Sequence, residues 1–225
     1  MNIKKIILIV ALGAVGLGSL VWLYSWLSRP LPGVAVEDLG RNHVAVGTAV
    51  QYNSNPPTSG PHFPVWAKRG AYTQVLSDGY LIHSLEHGYV VISYNCDRLS
   101  AGRFIPAVFA HEGEDIATSS ASPDLYHLTF TPPAGMSWLT PENPPDKVVD
   151  LPERFASAPC QALVDQLTPL LNSYQRLIIV PRPELDVAIA LTAWGKIDKM
   201  DSFDEARIKA FASSFHNAGP EKTTE

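Results

Sequence analysis

Residues 79–95 read Gly79-Tyr80-Leu81-Ile82-His83-Ser84-Leu85-Glu86-His87-Gly88-Tyr89-Val90-Val91-Ile92-Ser93-Tyr94-Asn95, the densest apolar run beyond the N-terminal segment. Its second half, Tyr89–Tyr94, is β-branched or aromatic at every position but Ser93, the composition of a buried strand. Gly88 just before it is free to adopt a left-handed conformation and end a helical turn. The room left ahead of Gly88 suits about one turn of helix.

Downstream, Leu163, Leu167, Leu170 and Leu171 fall on one helical face, which predicts a helix over 160–174. Two strands follow, Arg176–Val180 and Val187–Trp194, separated by Pro181-Arg182-Pro183. Asp201–Phe215 closes the chain as a helix with Phe203, Ile208, Phe211 and Phe215 apolar. Asp201 or Ser202 serves as its N-cap, and Glu205 stands three residues after Ser202 as in a capping box. Between these blocks, 97–159 is an irregular insertion rich in Pro, Ser and Ala, with Leu125–Phe130 a candidate strand. Upstream, 43–70 is rich in Pro, Gly, Asn and Ser, and its prolines forbid a regular helix, leaving a shaped loop. Strand, helix, two strands and helix make an α+β fold: a small mixed β-sheet with helices packed on one face.

Ahead of that domain, no charged side chain occurs from Ile6 to Leu27, a run of 22 residues. At ~1.5 Å per residue it spans roughly 33 Å, enough for a bilayer core. Its far end is bulky (Trp22, Tyr24, Trp26), a poor signal-peptidase site and a good membrane interface. Lys4 and Lys5 precede it and Arg29 follows, which keeps the N-terminus in the cytoplasm. The expected organisation is a cytoplasmic end (1–5), a transmembrane signal-anchor (6–28), a linker (29–42), an extracytoplasmic domain (43–218) and a tail (219–225). That places the chain in the cell (inner) membrane with its domain periplasmic or extracellular.

The net charge is −5, and Lys4, Lys5 and Arg29 lie outside the folded part, which is near −8. An acidic domain is a poor partner for nucleic acid. Cys96 and Cys160 are the two cysteines, and in an oxidising compartment a bridge is the leading reading. Two free thiols are the alternative, and a soft metal ligand is the third.

Seven histidines occur. In a helical turn His83, Glu86 and His87 lie on one face, so two imidazoles and a carboxylate can converge. Zinc, copper, nickel and iron accept these donors. His62, at the end of the Pro-rich loop, is the obvious third imidazole. His43, His111, His127 and His216 are assigned to ordinary core or surface roles. His-x-x-Glu-His also matches the inverzincin metalloprotease signature, but there the motif occupies a long helix. In a metal-free arrangement, His83 and His87 would instead hydrogen-bond the Thr58-Ser59-Gly60 backbone. No Gly-rich phosphate loop, Gly-x-Ser-x-Gly elbow or Cys-x-x-Cys is present.

The blocks Asn55-Pro56-Pro57-Thr58-Ser59-Gly60-Pro61-His62, His83-Ser84-Leu85-Glu86-His87-Gly88 and Ala190-Leu191-Thr192-Ala193-Trp194-Gly195, in that order, resemble the bacterial domain of unknown function 3105. Phe203-Asp204 and a closing helix follow as in that family, so the resemblance covers roughly 43–96 and 160–216. It implies a short extracytoplasmic domain in which His62, His83, Glu86 and His87 share one site, without naming a reaction. The long 97–159 stretch departs from the family.

The functional expectation is a metal-binding domain rather than an enzyme. His62, His83 and His87 are its ligands, and Glu86 is a fourth ligand or an outer partner. Copper stands ahead of zinc as the ion on intrinsic affinity. The alternatives are a zinc-dependent hydrolase with Glu86 as general base and a metal-free envelope scaffold or interaction module.

Overall fold

The computed structural model of the chain describes residues 3–27, 30–99, 138–139 and 150–223. It divides into two units, 1–31 and 32–225. The first is a helix, α1 (Ile3–Leu27). Its long stretch of described side chains, Leu12–Tyr24, is exposed. Among the described residues, no helix is long and apolar enough to cross a membrane.

The second unit runs β1 (Val34–Ala35), β2 (Trp66–Ala67), β3 (Gly70–Ala71), α2 (Asp78–Glu86), β4 (Val90–Tyr94), β5 (Trp138–Leu139), α3 (Ala158–Leu167), β6 (Leu177–Pro181), β7 (Ile189–Ala193), β8 (Lys196–Met200) and α4 (Glu205–Phe215). Six strands form one mixed sheet in the order β1-β8-β7-β4-β6-β3, and β2 pairs with β5 separately. β4, β6 and β3 run parallel to one another, whereas β7 is antiparallel to β4 and β8, and β1 to β8. A parallel β4–β6 pair needs a crossover, and the segment containing α3 supplies it. β7 and β8 need only the Trp194-Gly195 turn, where Gly195 takes φ +66°.

β4 is buried at every position, as its composition demands. Side chains alternate across a strand, so Val90, Ile92 and Tyr94 face one way and Val91 the other. The first set joins Leu177, Ile179, Ile189 and Leu191 in a core with Leu163 and Leu167 of α3 and Ile208, Phe211 and Phe215 of α4. Val91 joins Ile178 and Val180 in a second core with Phe63 and with Tyr80, Leu81 and Leu85 of α2. The fold is therefore α+β, but its helices cover both faces of the sheet, not one as expected. The physical reason is that β4 and β6 carry apolar side chains on both faces, and each face requires a cover.

Local differences have local causes. α2 is nine residues long rather than about one turn. The Oγ of Ser77 caps it by accepting from the Gly79 amide, and burial of every residue from Asp78 to Glu86 erases the amphipathic period. A Cβ on Gly79 would stand 2.5 Å from the Phe63 ring, so a glycine lets that ring seat on the helix. α3 ends at Leu167 and tightens into a 3₁₀ turn over Thr168–Asn172, because Pro169 has no amide to give the carbonyl of residue 165. β8, with its mixed charged and apolar residues, is a strand beyond those expected. It carries the chain to Met200, so the cap of α4 falls later than Asp201 or Ser202. Asp204 does the capping, its Oδ1 accepting from the Arg207 amide at 3.0 Å.

Cys96 and Cys160 are disulfide-bonded, so neither is a free thiol or a metal ligand. The bridge joins the turn after β4 to the first turn of α3 across 64 residues. Closing a loop of that length contributes about 4 kcal/mol in the chain-entropy account. Leu125–Phe130, His111 and His127 lie outside the described residues.

Candidate metal centre

Three chain segments meet on the α2 face of the sheet. The first is the Pro-rich loop ending at His62. A buried network holds it in place: Arg182 donates to both carboxylate oxygens of Asp78 (2.5 and 3.0 Å) and to Asn55 Oδ1 (2.7 Å). Asn55 in turn donates to the Glu184 carbonyl at 2.9 Å. One guanidinium thus ties the loop to the first turn of α2 and to the end of β6.

The second segment is α2 itself. The Phe63 amide donates to the Gly79 carbonyl at 3.1 Å, and the Phe63 carbonyl accepts from His83 Nδ1 at 2.6 Å. Ser84 Oγ accepts from the Ala67 amide at 3.0 Å and lies 2.7 Å from the Ala67 carbonyl, pinning β2 to the helix. Ser84 thus fastens β2 to α2.

The third segment, residues 39–44, lies along the loop. The His62 amide donates to the Asn42 carbonyl (3.0 Å) and the Val44 amide to the His62 carbonyl (2.8 Å), a parallel bridge between His43 and His62. That pairing brings in a residue assigned from the sequence to an ordinary role.

The rings of His43, His62 and His83 form a triangle with 5.0 Å between every pair of centroids. Glu86 Oε2 stands 3.0 Å from His62 Nε2. One donor atom from each of His43, His62, His83 and Glu86 lies within 4.8 Å of the other three. A tetrahedral ion with bonds of 2.0–2.1 Å spaces its donors by about 3.4 Å, a modest contraction of this group. His62, His83 and Glu86 are buried, at 0 %, 4 % and 4 % exposure, whereas His43 is exposed.

Ring tautomers follow from the hydrogen bonds. His62 Nδ1 faces the Gly60 carbonyl at 2.8 Å, and His83 Nδ1 faces that of Phe63. A carbonyl only accepts, so both Nδ1 atoms carry the proton, and in a neutral ring Nε2 presents a bare lone pair. Burial is the main cause holding both rings neutral. It lowers His62 against the opposing pull of Gly60 and Glu86, and it pushes His83 down to about 3 with help from its histidine neighbours. His62 Nε2 and Glu86 Oε2 lie 3.0 Å apart, within hydrogen-bond distance, a gap that a shared proton or a cation bridges.

His87 is not brought into this group. It is the residue that ends α2, and Gly88 behind it takes φ +83°. Its ring packs on His83 (4.6 Å) and Trp66 (4.8 Å), and its Nε2 lies 3.7 Å from Glu221. The C-terminal segment grips this end of the helix: the Asn217 amide donates to the Gly88 carbonyl, and the Glu221 amide to that of Glu86. Arg176 reaches the His87 carbonyl. His216 lies apart from the group, its Nε2 accepting from the Arg176 amide at 3.1 Å. Only one histidine of the His-x-x-Glu-His pattern therefore sits in the cluster, which departs from the metalloprotease arrangement.

Three imidazoles and one carboxylate, gathered where a fixed loop, a buried helix and an exposed strap meet, define a small α+β domain with a candidate metal centre. The chain belongs to the family described as protein of unknown function (DUF3105), whose match spans residues 43–105 and 155–225. The interval between the two segments falls inside the irregular 97–159 stretch. No curated protein and no solved structure matches the chain. The family match begins at His43, the sequence signal that could have drawn attention to this residue.

Proposed function

We propose that this is a membrane-anchored, extracytoplasmic domain that binds one transition-metal ion through His43, His62, His83 and Glu86. The ion is copper ahead of zinc: three imidazoles and a carboxylate suit both, and copper(II) leads in intrinsic affinity for such donors. The observation that carries the reading is the pair of buried rings tied through Nδ1 to a backbone carbonyl, with a donor atom of each within 4.8 Å of those of His43 and Glu86. Metal-ligating histidines are oriented in this way, by a hydrogen bond at the other ring nitrogen. His62 Nε2 and Glu86 Oε2, 3.0 Å apart, are two donor atoms that a bound cation could bridge. The apolar run 6–28 supports the anchor, and the disulfide supports a compartment outside the cytoplasm. The role is sequestration, delivery or sensing of the ion.

The test is metal content of the full-length chain, produced in an oxidising compartment and purified in detergent without chelator or affinity histidines. One equivalent of copper or zinc is expected, and it should be lost in a His83→Ala variant that keeps its circular dichroism. His87→Ala should retain the ion. No bound metal, with neither ion raising the melting temperature, would leave the histidines as a hydrogen-bonded scaffold.

A further inference from the structure

The four candidate ligands are unequal, and the inequality says how an ion would come and go. His62 and His83 are buried and locked, each through Nδ1 to a backbone carbonyl. Glu86 is buried on the last turn of α2, whose end the C-terminal segment grips. His43 is exposed, and its ring makes no hydrogen bond among the described residues, only stacking contacts with His62 and His83. The backbone carrying it belongs to neither the main sheet nor a helix. Strap 39–44 is held to the loop by the Gly60 amide on Gly40, the His62–Asn42 and Val44–His62 bonds, and the Leu39 amide on Ser59 Oγ. The same strap carries Arg41, half exposed, with Nε 3.8 Å from Glu86 Oε1.

We infer that His43 is the exchangeable ligand of this centre, and that the ion enters and leaves on the strap side by substitution at the His43 position. The inference rests on the metal-binding reading above and deepens it. Three buried donors keep the ion seated while a fourth, at the surface, is replaced by an incoming donor. Replacement costs no burial and breaks no hydrogen bond of the ring. A site of this build passes its ion to another nitrogen donor; a storage or purely structural centre would enclose all four ligands. Delivery is thereby favoured over sequestration.

The experiment measures release of copper or zinc from the full-length protein to excess chelator by stopped flow, with His43→Ala and His83→Ala beside wild type. His43→Ala is expected to keep one equivalent but to release it about 10–100-fold faster, the scale of loosening seen when a metal site loses support. Added imidazole, the probe for an accessible fourth position, should restore slow release in His43→Ala. It should not restore metal uptake to His83→Ala, whose vacated position is enclosed. Release from His43→Ala at the wild-type rate would remove His43 from the coordination and overturn the inference while leaving a metal site in place. Loss of the whole equivalent in His43→Ala without rescue would make His43 an integral ligand, and the inference fails again. Wild-type protein that takes up no ion would remove the site and the inference together, an outcome distinct from the other two.

Discussion

The two faces of the central sheet are built from alternate residues of the same strands, yet they are covered by different chemistry. Under α3 and α4 lie Leu163, Leu167, Ile208, Phe211 and Phe215, with the disulfide at one edge. Under α2 the aliphatic and aromatic layer is shared with buried His62, His83, Ser84, Glu86 and His87. The comparison teaches where the molecule tolerates polar burial. Such groups are costly unless satisfied, and on the α2 face each has a named partner or ring neighbour. The apolar face supplies stability, and the α2 face uses part of it to hold a polar cluster.

The sharpest way to break this comparison is to damage the apolar face alone. Phe211→Ala should destabilise the domain by about 3–5 kcal/mol, the range for truncating a buried aromatic, read as a shift in the urea midpoint. In the folded variant metal stoichiometry should stay at the wild-type value; its loss would show that the faces are coupled rather than separate.

A smaller effect should mark the α2 face. In metal-free protein His83 is held down to about 3 from its ordinary 6.5, chiefly by burial, and His62 is lowered as well. The unfolded chain therefore binds more protons than the folded one as pH falls below 6.5. For His83, stability is fully present above that pH and is lost progressively toward pH 3, at roughly 1.4 kcal/mol per pH unit, and His62 adds to the loss in the same direction. Chemical denaturation of metal-free protein at pH 7 and pH 5 measures it. Equal midpoints would mean that neither ring is held neutral, and Phe211→Ala should show the wild-type slope at lower absolute stability.

The least effect is expected at the rim. Arg41, half exposed, places its guanidinium 3.8 Å from Glu86, where it would oppose a bound cation. Arg41→Gln should tighten metal binding by about two- to fivefold at low salt, and the gain should shrink at high salt. A competition titration at two ionic strengths decides it. Weaker binding would mean that Arg41 orders Glu86 instead of competing with the ion.

Legibility differed by element for physical reasons. β4, β6 and β7 were readable because strands buried on both faces are nearly continuous apolar runs, broken here only by Ser93 in β4 and Thr192 in β7. The same property hid most of α2: a helix buried on all sides has no polar stripe, so only its last turn, marked by Gly88, showed in the pattern. β8 escaped because Lys196, Asp198 and Lys199 break its apolar run, with Asp198 paired to Arg207 at 2.5 Å. The site divided likewise. His62, His83 and Glu86 were nameable from loop and helix spacing, and they do meet.

By itself the sequence determined an α+β domain around one apolar strand, the family, the cysteine pair as a candidate bridge, and a loop histidine aimed at a helix carrying His and Glu. Tertiary structure alone decided the membership of the cluster. Helical spacing places Cα atoms on a face, but it does not say where the helix stops or which way a ring turns. His87 ends α2 and packs toward Trp66 and Glu221, while His43, patternless in the chain, arrives by a single parallel bridge to His62. Two backbone hydrogen bonds between distant segments carry that information, and no local periodicity encodes them.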